Sequence, residues 1–140
     1  MTSHGDIAEP KTPDAAAEAT RARAFAALKT LPSRLADVVF DWAERTPDAP
    51  ALVEGDRRLT YGETAAAIRD TARWLTDQGL RPGDRLMVVN ENGIALALLL
   101  LAAGTIDVWL ATINARLSEG ELETIRAPSG ARRVIHTCLL

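Results

Sequence analysis

The sequence predicts an α/β protein: a two-stranded β-hairpin followed by a parallel βαβαβ sheet, left incomplete at its C-terminal end. Three observations predict it. From Leu80 to Asn114, the turn Arg81-Pro82-Gly83-Asp84, the apolar strand Arg85 to Asn90, the apolar segment Ile94 to Ala103 closed by Gly104, and the β-branched run Ile106 to Ile113 form one βαβ crossover. Upstream, Ala51-Leu52-Val53-Glu54 and Arg57-Arg58-Leu59-Thr60 flank Gly55-Asp56, a two-residue loop with glycine first, which is a hairpin signal. Downstream, Ser118-Glu119-Gly120-Glu121 opens another helix, and Arg132 to Thr137, with Val134 and Ile135, supplies a third parallel strand.

Each remaining element follows from local chemistry. Met1 to Pro13 is polar and aperiodic, the pattern of a mobile tail. Asp14 can cap a helix from Ala15 to about Thr30, whose only large apolar side chains are Phe25 and Leu28, so residues 14–32 are expected to form a loosely docked helix. Leu31-Pro32 ends it, because the residue before proline avoids the helical region. Ser33 is the expected N-cap of the next helix, with Leu35, Val38, Val39 and Trp42 inward and Asp37, Asp41, Glu44 and Arg45 outward. Thr60 and Glu63 form a capping box for the helix that follows the hairpin. There Tyr61, Ala65, Ile68, Ala72 and Leu75 share a face, and Gly79 ends the helix. In the helix after Ser118, Leu122 and Ile125 are expected inward, and Pro128-Ser129-Gly130 stops it. Residues 33–140 make up the main domain.

Composition narrows the function classes. With 140 residues, 47% hydrophobic and 25% charged, the chain is of ordinary globular type. A net charge of −3 gives no basic field for nucleic acid or anionic lipid. Cys138 is the lone cysteine, so neither an intramolecular disulfide nor a four-cysteine zinc site can form. The N-terminus lacks an apolar signal core and carries Asp6, Glu9, Asp14 and Glu18, so the cytoplasm is the expected location. Ile94 to Ile113 is long enough to span a bilayer, but Asp107 lies within it, Gly104-Thr105 interrupts it, and Val108, Thr112 and Ile113 favour a strand. A buried helix plus strand is therefore expected in place of a membrane span.

Residues with reactive side chains are sparse. His4 lies in the tail, and His136 shares a strand face with Cys138. A chain-terminal strand holds a nucleophile poorly, so a Cys-His pair is not expected to be catalytic. No P-loop pattern and no G-x-G-x-x-G occurs. Lys11 and Lys29 are the only lysines, both ahead of the main domain. The glycines from Gly55 to Gly130 stand singly at turns and caps, whereas a phosphate cradle needs converging backbone N–H groups.

Taken in order, the motifs resemble those of AMP-forming acyl-CoA synthetases in the adenylate-forming superfamily. Arg57-Arg58-Leu59-Thr60-Tyr61-Gly62-Glu63 is similar to the family's "R-x-L-T-Y-x-E" hairpin-to-helix entry. Gly79 to Leu86 resembles its glycine-proline-glycine-aspartate turn and strand. Leu100 to Gly104, Asn114-Ala115-Arg116-Leu117-Ser118 and Glu121-Leu122 follow in register, so the likeness runs from about Leu35 to His136. In these positions Gly83 makes the turn, and Gly104 is expected to end the crossover helix and admit the next strand closely.

The resemblance implies the N-terminal portion of the family's large domain, and a fatty or aryl carboxylate–CoA ligase as the parent enzyme. It implies ATP, Mg and CoA as cofactors of the complete enzyme. The phosphate loop, the adenylate motif, the ribose-binding aspartate and the C-terminal lysine have no counterpart here. No cofactor and no catalytic or metal residue are therefore expected for this chain alone, and it resembles a truncated product or fragment without activity. One carry-over remains: Arg116 matches the arginine of "N-P-R", which in some relatives contacts the CoA nucleotide phosphate, although Ala115 replaces the proline. Otherwise Arg116 is a solvent-facing residue paired with Glu119. A non-catalytic interaction module is the alternative. A sheet ending at His136 would expose Val134 and Ile135 and favour self-association or a complementary C-terminal fragment.

Overall fold

In the computed structural model, which describes residues 15–136, the hairpin leads into three parallel strands. The elements are α1 (Ala15–Leu28), α2 (Leu35–Arg45), β1 (Pro50–Glu54), β2 (Arg57–Thr60), α3 (Tyr61–Asp77), β3 (Arg85–Asn90), α4 (Ile94–Thr105), β4 (Trp109–Asn114), α5 (Glu119–Ser129) and β5 (Arg133–His136). The polar tail to Pro13, the Asp14 cap and the strand end at Thr137 lie outside the described residues. Two units divide at Leu31 and Pro32. In the first, α1 buries no residue.

The second unit carries the hairpin and the sheet. β1 and β2 pair antiparallel, with Glu54 opposite Arg57 across the two-residue loop, and Gly55 adopts φ +57° there. Thr60 then closes the strand and opens α3. Its Oγ1 accepts from the Glu63 N–H at 3.2 Å, and its own N–H donates to Glu63 Oε2 at 2.9 Å. This reciprocal cap satisfies two of the donors that every helix start leaves open. The parallel sheet has the order β4-β3-β5, so β3 is central and its residues Leu86 to Val89 are buried.

Strand alternation gives β3 two different neighbourhoods. Leu86 and Val88 face one core with Ala36, Ile68, Leu75, Leu80, Leu99 and Ala102, drawn from α2, α3, the turn before β3 and α4. Ile68, Leu75 and Leu86 are all fully buried, and full burial of such a side chain contributes about 1.5–3 kcal/mol. Met87 and Val89 face the other way, toward α5 and Val134. On that side α5 buries no residue completely, and a gap of about 230 Å3 remains between its Leu122 and the sheet.

Several expectations need correction. The N-cap of α2 is Arg34, not Ser33: the Asp37 carboxylate reaches back to accept from the Arg34 N–H at 2.9 Å, which fixes the start one residue later. The inward face of α2 is Ala36, Val39 and Phe40, while Leu35, Val38 and Trp42 are exposed. Both sets have helical spacing, and the one with a small alanine is the one that packs against the core. The outward stripe is not idle, since Trp42 stacks on Tyr61 with ring centroids 5.9 Å apart.

Gly104 does not end α4, which continues through Thr105, and a side-chain methyl there would meet nothing within 4 Å. The chain reverses instead at Asp107, a non-glycine residue at φ +55°. Aspartate is among the few non-glycine residues that adopt this left-handed conformation with any frequency. It is held by Arg34, whose guanidinium donates to both Asp107 carboxylate oxygens at 3.0 and 2.9 Å, and by the Gly83 N–H on the Asp107 carbonyl at 2.8 Å. The second β-branched run therefore begins its strand at Trp109, not Ile106.

In α5, Pro128 and Ser129 lie within the helix, and the stop is Gly130 at φ +65°. Ile125 is exposed, because only one edge of α5 meets the sheet. Val134 and Ile135 are half-buried, not bare: Ile135 packs against the main core and Val134 lies beneath α5.

Candidate functional site

Topology places the most developed cleft. From β3 the chain turns into α4 on the core face, and from β4 it turns into α5 on the opposite face. The two strands end side by side, Asn90 in register with Asn114. Where neighbouring parallel strands send their connections to opposite faces, a crevice opens at their C-terminal ends. Here it is about 500 Å3, with Thr112 and Ile113 as its floor, Asn90, Glu91, Asn92 and Leu96 along one side, and Asn114 and Arg116 along the other.

Arg116 is the one expected site residue, and it lines this cleft. Its backbone N–H donates to Asn114 Oδ1 at 2.9 Å, an Asx turn that constrains the loop where Ala115 replaces the family's proline. Its side chain is 81% exposed and pairs with Glu91, Nε to Oε1 at 3.5 Å, and not with Glu119. The turn directs the guanidinium back over the end of β3, whereas Glu119 is the first residue of α5. Sequence reasoning did not find Asn90, Glu91 or Asn92. The available signal was that both strands end in asparagine.

The nearby N-terminus of α4 already has an anion. Glu54, from the end of β1, places Oε2 3.4 Å from the Ile94 N–H and 3.9 Å from Arg57. A β-carbon on Gly93 would collide with that carboxylate. One N–H of the helix end that would attract a phosphate thus already faces a carboxylate of the chain itself.

Carboxylates with shifted protonation lie elsewhere, on α5. The Ser118 hydroxyl, followed by the Ser118 N–H, holds Glu121 below the ordinary carboxylate value, and the Arg126 guanidinium does the same for Glu123. His136 is exposed on β5, beside the gap under α5. His4 and Cys138, and with Cys138 any Cys-His pair, lie outside the described residues. Among the described residues no group of three or more His, Cys, Asp or Glu is placed to hold a metal ion, and no helix is long and apolar enough to cross a membrane. Ile94 to Ile113 is a twelve-residue helix, a reversal and a strand.

A hairpin-to-helix entry, a parallel sheet and a cleft at its switch point define an α/β domain with its crevice at the C-terminal strand ends. The chain belongs to the AMP-binding enzyme family, whose model matches residues 39–139. It is 36% identical over 95 residues to a feruloyl-CoA synthase of an Amycolatopsis species, covering 68% of this chain and 19% of that protein. It is 28% identical over 102 residues to a medium/long-chain-fatty-acid–CoA/3-oxocholest-4-en-26-oate–CoA ligase of Mycolicibacterium smegmatis, covering 73% of this chain and 18% of that one. The crystal structure of the N-terminal domain of FACL13 from Mycobacterium tuberculosis matches with a TM-score of 0.70 and 28% identity, over 74% of this chain and 26% of that domain. The chain therefore spans about a fifth of the length of these curated relatives.

Proposed function

We propose that this chain is the N-terminal segment of an AMP-forming carboxylate–CoA ligase for a fatty or aryl acid, working in the cytoplasm, and that it is inactive alone. The observation that carries the reading is the family match across residues 39–139, with relatives named as aryl- and fatty-acyl-CoA ligases. In the complete enzyme, ATP and Mg activate the carboxylate as an acyl adenylate, and CoA then takes the acyl group. The residues of this chain do not fit a nucleoside triphosphate. No lysine follows Lys29, no two glycines are adjacent, and the Glu54 carboxylate faces the Ile94 N–H at the start of α4. Its contribution is scaffold plus one contact: Arg116, at the mouth of the cleft, donates to the nucleotide phosphate of CoA. Pyrophosphate release by the purified chain, with ATP, Mg and a panel of fatty and aryl acids, tests the inactivity. No release above background is expected, and turnover overturns it.

One observation favours a second reading, a non-catalytic module that self-associates or takes up a complementary C-terminal fragment. β4 is an edge of the parallel sheet, carries no charged residue, and presents Trp109 72% exposed. Such an edge invites pairing. Light scattering decides it: a stable monomer at micromolar concentration counts against self-association.

A further inference from the structure

Arg116 is not a free cation waiting for a ligand. Its guanidinium already faces Glu91 across the cleft, at 3.5 Å, and the two residues sit 25 positions apart on different connections. Every other polar lining group of the cleft is a carboxamide or a hydroxyl, so Glu91 is the sole acid among the lining residues and Arg116 the sole base. The pair is exposed on both sides, 81% for Arg116 and 44% for Glu91. Exposed pairs of this kind are weak and screened, so an incoming anion can displace the carboxylate at little cost.

We infer that Glu91 competes with a ligand phosphate for Arg116 and so limits how tightly the cleft holds an anion. The inference rests on the reading of Arg116 as a phosphate contact. A monoanionic ligand only replaces one single charge by another beside Arg116, while leaving Glu91 nearby as a like charge. A phosphomonoester carries about −1.5 to −2 at pH 7, so both its attraction to Arg116 and its repulsion by Glu91 are larger. The two strand-end carboxamides, Asn90 and Asn114, lie beside the pair with donors for the remaining phosphate oxygens.

The test titrates the full chain with adenosine 3′,5′-bisphosphate, the nucleotide end of CoA, following the backbone amide NMR resonances of residues 90–92 and 114–116. Wild type, Glu91→Gln, Arg116→Gln and Asp56→Asn are compared; the last removes one negative charge at the hairpin loop, away from the cleft. The inference expects weak binding by wild type, roughly two- to five-fold tighter binding by Glu91→Gln, loss with Arg116→Gln, and no change with Asp56→Asn. Wild-type binding that Glu91→Gln leaves equal or weaker overturns the role of Glu91 and spares that of Arg116. An equal gain from Asp56→Asn assigns the effect to net charge and also overturns it. No binding by wild type or by Glu91→Gln overturns both the role of Arg116 and the inference built on it.

Discussion

The two crossovers of the parallel sheet share a connectivity and differ in what holds them. β3-α4-β4 is held by burial: Leu99, Leu101, Ala102 and Ala103 of α4 join a core that also takes in α2 and α3. β4-α5-β5 is held mostly by polar contacts near the helix ends. Ser118 and Glu121 cap the start of α5, the Arg85 guanidinium donates to the Ser129 carbonyl at 2.9 Å, and Leu122 is half-buried over the sheet. Apolar burial involves no titrating group and is not screened by salt, whereas capping and ion pairs respond to both. One sheet thus has a face that should resist mild perturbation and a face that should yield to it.

The largest effect expected is in the first crossover's core. Leu75→Ala, at a position with no exposed surface, should lower unfolding stability by about 2–5 kcal/mol in urea titration. Leu122→Ala on α5 should cost less than half as much. Equal losses would erase the distinction between the two faces.

Next comes the α5 cap. Ser118→Ala should destabilise that helix by about 1 kcal/mol, seen as faster amide exchange in α5 with little change in α3. Acid should do the same. Because the folded-state values of Glu121 and Glu123 are lowered, their stabilisation is fully present above the ordinary glutamate value of about 4.3 and is lost as pH falls through the lowered values. Protection factors in α5, corrected for the intrinsic pH dependence of exchange, should therefore fall below about pH 4, ahead of those in β3. Simultaneous loss of protection in α5 and β3 would contradict this.

The smallest effect concerns Thr64 on α3. Its Oγ1 is buried and has no hydrogen-bond partner among the described residues. Thr64→Val keeps the shape and removes the unpaired hydroxyl, so stability should rise by up to about 1 kcal/mol. A fall of that size would mean the hydroxyl is satisfied in solution.

What the sequence disclosed follows the range of the forces involved. Both capping boxes, Thr60 with Glu63 and Ser118 with Glu121, were legible because each closes within three residues. The inward face of α3 was legible because only one apolar stripe exists there. On α2 two stripes have the same period, and only the tertiary fit of Ala36 separates them. The end of α4 was misplaced because glycine marked a stop that the helix passes through. The true reversal at Asp107 depends on Arg34, 73 residues away in sequence. The cleft was illegible for the same reason. It exists only because β5 joins the other side of β3, an order that two parallel crossovers leave open. Arg116 could be picked out by motif, but its partner Glu91 could not.

The central proposal is that this chain has the family's fold but does not bind ATP alone, and isothermal titration with Mg-ATP tests it most directly. The account predicts no saturable heat below about 1 mM, an affinity limit of roughly −4 kcal/mol. A saturable micromolar isotherm, abolished by Arg116→Gln, would contradict it.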